Sequence, residues 1–177
     1  MKESLIINIC REKLHYLEFV KPIEDILKSK NIKFKTLNYK EIKETPDYEK
    51  IIICGTSLKD KEYLNANFSW IRDTNKSVLG ICAGMQIIGI EFKGKLKTKK
   101  EIGFFKETFK EEFLGLKGEN EVYHLHNNYV ELSNDFKIFS KNTLTQAVKH
   151  KTKEIYGVLF HPEVRNKELI LNFVKIP

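Results

Sequence analysis

Gly80-Ile81-Cys82-Ala83-Gly84-Met85-Gln86 follows the apolar pair Val78-Leu79 and runs into a second apolar stretch at Ile87, Ile88 and Ile90. A cysteine between small residues, after a short strand and before a helix, sits on a sharp turn. On such a turn the side chain projects outward and the neighbouring backbone N–H groups stay unengaged, which is the placement a nucleophile needs. A second stretch, Tyr156-Gly157-Val158-Leu159-Phe160-His161-Pro162-Glu163, reads as a late strand ending in a histidine and a carboxylate. Pro162 disfavours helical geometry at His161. In extended chain, residues two apart point the same way, so Glu163 is placed to orient the imidazole. Cys82, His161 and Glu163 are then the residue types of a nucleophile, its general base and the carboxylate behind it.

Outward from the cysteine turn, the N-terminal half alternates strands and helices. Leu5 to Cys10, Ile51 to Cys54 and Val78 to Ile81 are short apolar runs suited to buried strands. Ile32 to Leu37 alternates like an outer strand. Helical spacing spans Tyr16 to Ser29, with Pro22 limiting the first turn or kinking the helix. Tyr63 to Ile71 and Met85 to Phe92 read as further helices. This order predicts a parallel sheet with right-handed crossovers. The pattern then changes: Ile102 to Phe109, Glu121 to Leu132, Phe136 to Phe139, Leu144 to Lys149 and Ile155 to Phe160 read as strands joined by turns, before a last helix over Asn166 to Val174. Lysine-rich Lys93 to Lys100 reads as a mobile loop. The expected fold is therefore α/β and three-layered: a central, mainly parallel sheet with helices on both faces, plus a smaller antiparallel strand excursion in the C-terminal half.

Composition narrows the function classes. The 177 residues suffice for one domain with a proper core but not for two catalytic domains of ordinary size. At 41% hydrophobic and 31% charged residues the chain fits a globular protein, and no apolar run approaches membrane-spanning length. The net charge of +7 comes from lysines scattered among glutamates, with no Arg–aromatic platform, which predicts a solvated surface rather than a nucleic-acid site. Three cysteines without a secretory signal point to free thiols in a reducing cytoplasm. Cys10 and Cys54 end apolar strands and read as core residues. His15 and His150 read as exposed. His124 and His126 form an H-x-H pair, but no third Cys or His stands at ligand spacing, so no metal is expected.

These stretches resemble the class I glutamine amidotransferases, whose nucleophile turn reads G-x-C-x-G-x-Q and whose second signature is H-P-E at the end of a late strand. Both are present, in order and at a separation that suits this compact family, and the tail Ile155 to Val164 looks most like the amidotransferase subunit or domain of GMP synthetases. The resemblance covers nearly the whole chain and implies a single domain over residues 1–177. It implies hydrolysis of the side-chain amide of L-glutamine through a Cys82 thioester, with Ala83 N–H as one oxyanion donor. In the family a G-G-P turn after the third strand supplies the second donor; here that place reads Cys54-Gly55-Thr56-Ser57, and a second glycine replaced by Thr56 would be strained if its φ were positive. Gln86 matches the glutamine that helps hold substrate. His126-Asn127-Asn128 stands where the family has H-S-L or H-G-D, a segment whose backbone grips the amino-acid end of glutamine.

Nothing resembles a phosphate-binding G-x-x-x-x-G-K-[ST] loop or an S-G-G-x-D-S pyrophosphatase loop. The resemblance thus implies a chain without a cofactor of its own, supplying ammonia to a separate synthetase, an ATP pyrophosphatase if the product is GMP. The partner surface is expected around the mouth of the cysteine site, including the loop after its helix and the His126 region. Two alternatives stay open: a non-catalytic binding or regulatory relative, and a cysteine hydrolase acting on another γ-glutamyl amide.

Overall fold

The computed structural model describes residues 3–176. The three apolar runs become β1 (Ser4–Asn8), β3 (Lys50–Ile53) and β4 (Ser77–Ile81), in which Leu5, Ile6, Ile7, Ile51, Ile52 and Ile53 have no exposed surface. A strand apolar on both faces needs cover on both sides. Ile6, Ile52 and Leu79 pack on one side under α1 (Lys13–Phe19), α2 (Lys21–Ser29) and α5 (Lys167–Lys175); Leu5, Ile7, Ile51, Ile53 and Val78 pack on the other under α3 (Trp70–Asp73) and α4 (Ala83–Glu91). The expected three layers follow from this alternation.

With β2 (Phe34–Asn38), β5 (Lys95–Phe113), β6 (Leu116–Glu131), β7 (Phe136–Lys141), β8 (Thr145–His150) and β9 (Ile155–Val158), the strands form one sheet in the order β2-β1-β3-β4-β9-β8-β7-β5-β6. The first four neighbouring pairs along that order are parallel and the last four antiparallel. The expectation of a mainly parallel sheet is corrected to a mixed one. The antiparallel part is not small, because β5 and β6 run for 19 and 16 residues. β9 joins the two halves, parallel to β4 and antiparallel to β8, and so brings the H-P-E tail beside the strand that ends in Cys82.

Three local readings change. The helix expected over 16–29 is two helices meeting at Val20, with Pro22 in the first turn of the second, where its missing N–H costs no hydrogen bond. The helix expected over 63–71 is a 3₁₀ turn, Glu62–Asn65, followed by α3; between them Asn67 Oδ1 accepts the Ser69 N–H at 2.9 Å and diverts the chain. The lysine-rich segment 93–100 is no loop. Lys93, at φ 64°, turns the chain out of α4, and Lys95 to Thr98 pair with Glu131 to Asn128. Inter-strand hydrogen bonding has overridden a polar, charge-rich composition. Among the described residues no helix is long and apolar enough to cross a membrane.

Candidate active site

Cys82 caps α4 with φ 50° and ψ −103°, a left-handed conformation that a side-chain-bearing residue adopts only under constraint. The constraint is visible on both sides. Cys82 N–H donates to Val158 O at 2.7 Å, tying the turn to β9, and its carbonyl accepts from Gln86 N–H at 3.1 Å, starting the helix. A Cβ on Gly80 would lie 2.5 Å from the Gly84 backbone, and one on Gly84 would lie 2.3 Å from the Ile53 carbonyl oxygen. The glycines flanking the turn are therefore required by close backbone approach.

His161 arrives from the other half of the sheet. Its N–H donates to Tyr123 O on β6 at 2.8 Å, and its Nδ1 lies 2.7 Å from Glu163 Oε1, with both side chains about 1% exposed. The Cys82 thiol and His161 Nε2 both reach one oxygen, Leu125 O, at 3.5 and 3.3 Å, which sets the sulfur and the ring side by side. Burial pulls the imidazole toward its neutral form, but the Glu163 carboxylate and the Cys82 sulfur outweigh it and raise its pKa well above the ordinary histidine value. Gly55 closes the back of the group: a Cβ there would stand 2.7 Å from His161 Cε1 and 3.4 Å from Cys82 Cβ. The other two thiols are different. Burial pushes Cys10 up to about 11 and Cys54 well above its ordinary value, and all three cysteines are free.

Thr56 does not carry the strain anticipated for it, since it is not among the residues with positive φ. It is buried and donates through Oγ1 to Asp60 Oδ2 at 2.6 Å. The same oxygen accepts the Arg11 N–H at 3.1 Å and lies 2.8 Å from His15 Nδ1. Burial opposes the Asp60 charge, yet Thr56, Arg11 and His15 together hold its carboxyl below the usual range. His15 is thus buried in this clamp rather than exposed. His150 is also buried, between Phe92 and Phe136.

Gln86 is 2% exposed and engaged at both ends: Oε1 accepts from Tyr63 O–H at 2.8 Å and Nε2 donates to Asn128 O at 3.0 Å. Asn127 Nδ2 donates to Leu58 O at 3.3 Å. The β5–β6 register slips here, between the pairs Thr98–Asn128 and Glu101–His126. Such a bulge leaves Asn127 unpaired opposite Lys99 and Lys100 and re-aims the backbone there. Leu125 O accepts from the Cys82 thiol at 3.5 Å and lies 3.3 Å from His161 Nε2. The cavity lined by Cys82, Ala83, Gln86, Thr56, Tyr63 and Asn127 holds about 20 Å³. That is room for a water molecule rather than a side-chain amide. Its lining brings Thr56, Ala83, Gln86, Asn127 and Asn128 to one place beside Cys82. His126 is only 1% exposed and so forms no part of an outer partner surface.

A family model described as glutamine amidotransferase class-I matches residues 15–175. The chain belongs to the class-I glutamine amidotransferases. Among curated relatives, a GMP synthase (glutamine-hydrolyzing) of Mesoplasma florum is 33% identical over 149 residues, covering 76% of this chain and 29% of the relative. One from Spiroplasma kunkelii is 36% identical over 108 residues, covering 55% and 21%. The chain thus spans under a third of the length of these relatives. Among solved structures, a GMP synthase subunit of Thermoplasma acidophilum superposes with a TM-score of 0.81 at 22% identity, covering 98% of this chain and 93% of that one. A glutamine amidotransferase of Thermotoga maritima gives 0.68 at 21%, covering 91% and 76%. At these identities the structures speak for the fold.

Sequence reasoning missed Asp60, Tyr63 and the carbonyl of Leu125. Asp60 lies four residues from Thr56 in a polar loop, and no pattern marks it. Tyr63 is apolar-looking within an expected helix. A backbone oxygen carries no sequence signal at all.

Proposed function

We propose that this class-I amidotransferase is a glutaminase that hydrolyses the side-chain amide of L-glutamine and hands ammonia to a separate synthetase subunit of the GMP synthetase type. The observation that carries the reading is the strained Cys82 backbone at the start of α4, set against the buried His161–Glu163 pair. Cys82 gives its proton to His161, whose raised pKa favours the imidazolium, and the resulting thiolate attacks the carboxamide carbon. Glu163 holds the ring by Nδ1, which leaves Nε2, now beside Leu125 O, to exchange the proton with the sulfur. The tetrahedral oxyanion takes the N–H of Ala83, which at the first turn of α4 has no intrahelical acceptor. A second donor comes from the backbone at Gly55 and Thr56, of which Thr56 lines the same space. The C–N bond then breaks, His161 returns the proton to the departing ammonia, and a thioester remains. Water, deprotonated by His161, attacks the thioester and releases glutamate.

Substrate entry requires the 125–128 segment to withdraw, because Leu125 O occupies the approach to the sulfur. Gln86 and the backbone of Asn127 and Asn128 then face the amino-acid end of the ligand. The relatives named GMP synthase support an ATP pyrophosphatase as partner. Apolar surface left exposed at Phe104 and at Val164, which follows Glu163 in the chain, gives a partner a place to dock. The activity itself needs no metal or cofactor from this chain.

Glutamate release by the wild type and by Cys82→Ala, with and without the synthetase of the same organism, tests the proposal. Release that depends on Cys82 is expected; equal background release by both proteins under every condition refutes it. The contact of Leu125 O with the thiol also favours a second reading, a non-catalytic relative whose site stays closed. Stoichiometric labelling of Cys82 by a thiol-directed glutamine analogue would eliminate that reading. Faster turnover of γ-glutamyl peptides than of glutamine would reassign the substrate within the same chemistry.

A further inference from the structure

Directly behind the 125–128 segment, one face of the β5–β6 ribbon gathers Glu101, His124 and His126. Glu101 pairs across the ribbon with His126, and Gly103 with His124, so the three side chains share a face. His124 Nδ1 is 3.0 Å and His126 Nε2 3.2 Å from the same carboxylate oxygen, Glu101 Oε2. Tetrahedral zinc with Zn–N bonds of about 2.0–2.1 Å puts neighbouring donors about 3.3 Å apart; the two histidine nitrogens stand 3.0 and 3.2 Å from the shared carboxylate oxygen, and all three donors lie within 4.8 Å of one another. The cluster is dry: the two imidazoles are at most 1% exposed and the Glu101 side chain 12%. Neither ring nitrogen of His126 has a hydrogen-bond partner, and Gln146 Oε1, on the residue whose amide nitrogen lies 3.4 Å from Glu101 Oε2, has none either. Buried polar atoms left without partners cost free energy, and one of them, His126 Nε2, faces the Glu101 carboxylate at 3.2 Å.

The surroundings match what a metal-bound histidine requires. His124 Nε2, on the far side of its ring, lies 3.7 Å from Glu107 Oε1, and Glu107 in turn accepts from Ser140 O–H at 3.1 Å. A carboxylate on that side is placed to take the second N–H once the gap closes, although at 3.7 Å it makes no hydrogen bond here. Phe105 stacks on the His124 ring at 4.4 Å between centroids, holding it flat.

We propose that Glu101, His124 and His126 bind one divalent zinc-class cation, with Gln146 Oε1 completing the set after rotation of its amide. The cation ties bulged β5 to β6 at the base of the segment that carries the Leu125 carbonyl. It is a positioning element and touches no reacting atom. An H-x-H pair without a sequence-near third ligand is completed here by a residue more than twenty positions upstream, which only strand pairing brings into reach.

Tag-free protein stripped with a chelator, then titrated with Co²⁺, gives the test. Visible ligand-field bands of tetrahedral cobalt are expected, saturating at one Co²⁺ per chain and displaced by Zn²⁺. Zn²⁺ should also raise the melting temperature of the stripped protein. Glu101→Gln and, independently, His126→Asn should weaken Co²⁺ binding by about 100-fold or more, beyond the effect of an outer-shell change; folding of each is checked by circular dichroism, and either folded variant suffices. Cys82→Ser should bind as the wild type does. The proposal is overturned if stripped wild type gives no bands and no Zn²⁺-dependent rise in melting temperature. Binding that survives in a folded Glu101 or His126 variant overturns it as well. Binding lost in Cys82→Ser places the cation at Cys82 and His161 instead, and equally overturns it.

Discussion

Replacing Glu163 by Gln isolates the electrostatics of the buried pair. The carboxylate oxygen is 2.7 Å from His161 Nδ1 and both side chains are about 1% exposed, so solvent screens the pair little. Removing one partner of a buried ion pair costs about 3–5 kcal/mol. A Gln amide oxygen keeps a neutral hydrogen bond to the ring, worth about 1 kcal/mol. The net loss expected near pH 6 is therefore about 2–4 kcal/mol, well within what a folded domain of about 5–15 kcal/mol survives. Its pH dependence has a definite sign. The folded-state pKa of His161 is raised, so its contribution is fully present below the unfolded value of about 6.5 and is lost as pH rises through the folded value. The gap between wild type and Glu163→Gln should shrink from pH 6 toward high pH, where a neutral ring no longer compensates the buried carboxylate. Urea unfolding of both proteins at about pH 6 and about pH 9 measures it. A gap that is constant, or that widens with pH, would show that Glu163 does not raise the His161 pKa and would refute the argument.

Gly84→Ala would force a methyl group to 2.3 Å from a carbonyl oxygen; it should destabilise by at least about 1–3 kcal/mol and depress glutamate release, read by thermal melting and a coupled glutamate assay. Tyr63→Phe removes the hydroxyl that holds Gln86 Oε1 and is expected to raise KM for glutamine more than it lowers kcat, by steady-state kinetics. Asp60→Asn discards a carboxylate whose pKa is depressed. The stability Asp60 contributes is present above its unfolded value of about 3.9 and lost as pH falls through the folded one, so the melting-temperature difference from wild type should narrow below about pH 4.

Both signatures of the site were legible in the primary structure because each rests on local chemistry. Gly80 and Gly84 are glycines because backbone passes within reach of any Cβ there, and Pro162 keeps His161 extended so that Glu163 meets its ring. The apolar runs Leu5 to Ile7 and Ile51 to Ile53 likewise announce strands buried on both faces. Less readable was the stretch from Lys93 to Lys100. Its composition suits a loop, yet pairing with residues 128–131 makes it strand.

Local pattern, then, was enough for the layered α/β architecture and for the tight turn at Cys82. The length of the antiparallel half and its joining to the parallel one through β9, the Asp60 clamp on Thr56 and His15, the Leu125 carbonyl against Cys82, and the meeting of Glu101 with His124 and His126 were decided only in three dimensions. The physical reason is the same for all four. A period-two pattern tells a strand which face to bury but not which neighbour to take, and carboxylates and carbonyls acquire their partners only when register brings distant strands and loops together.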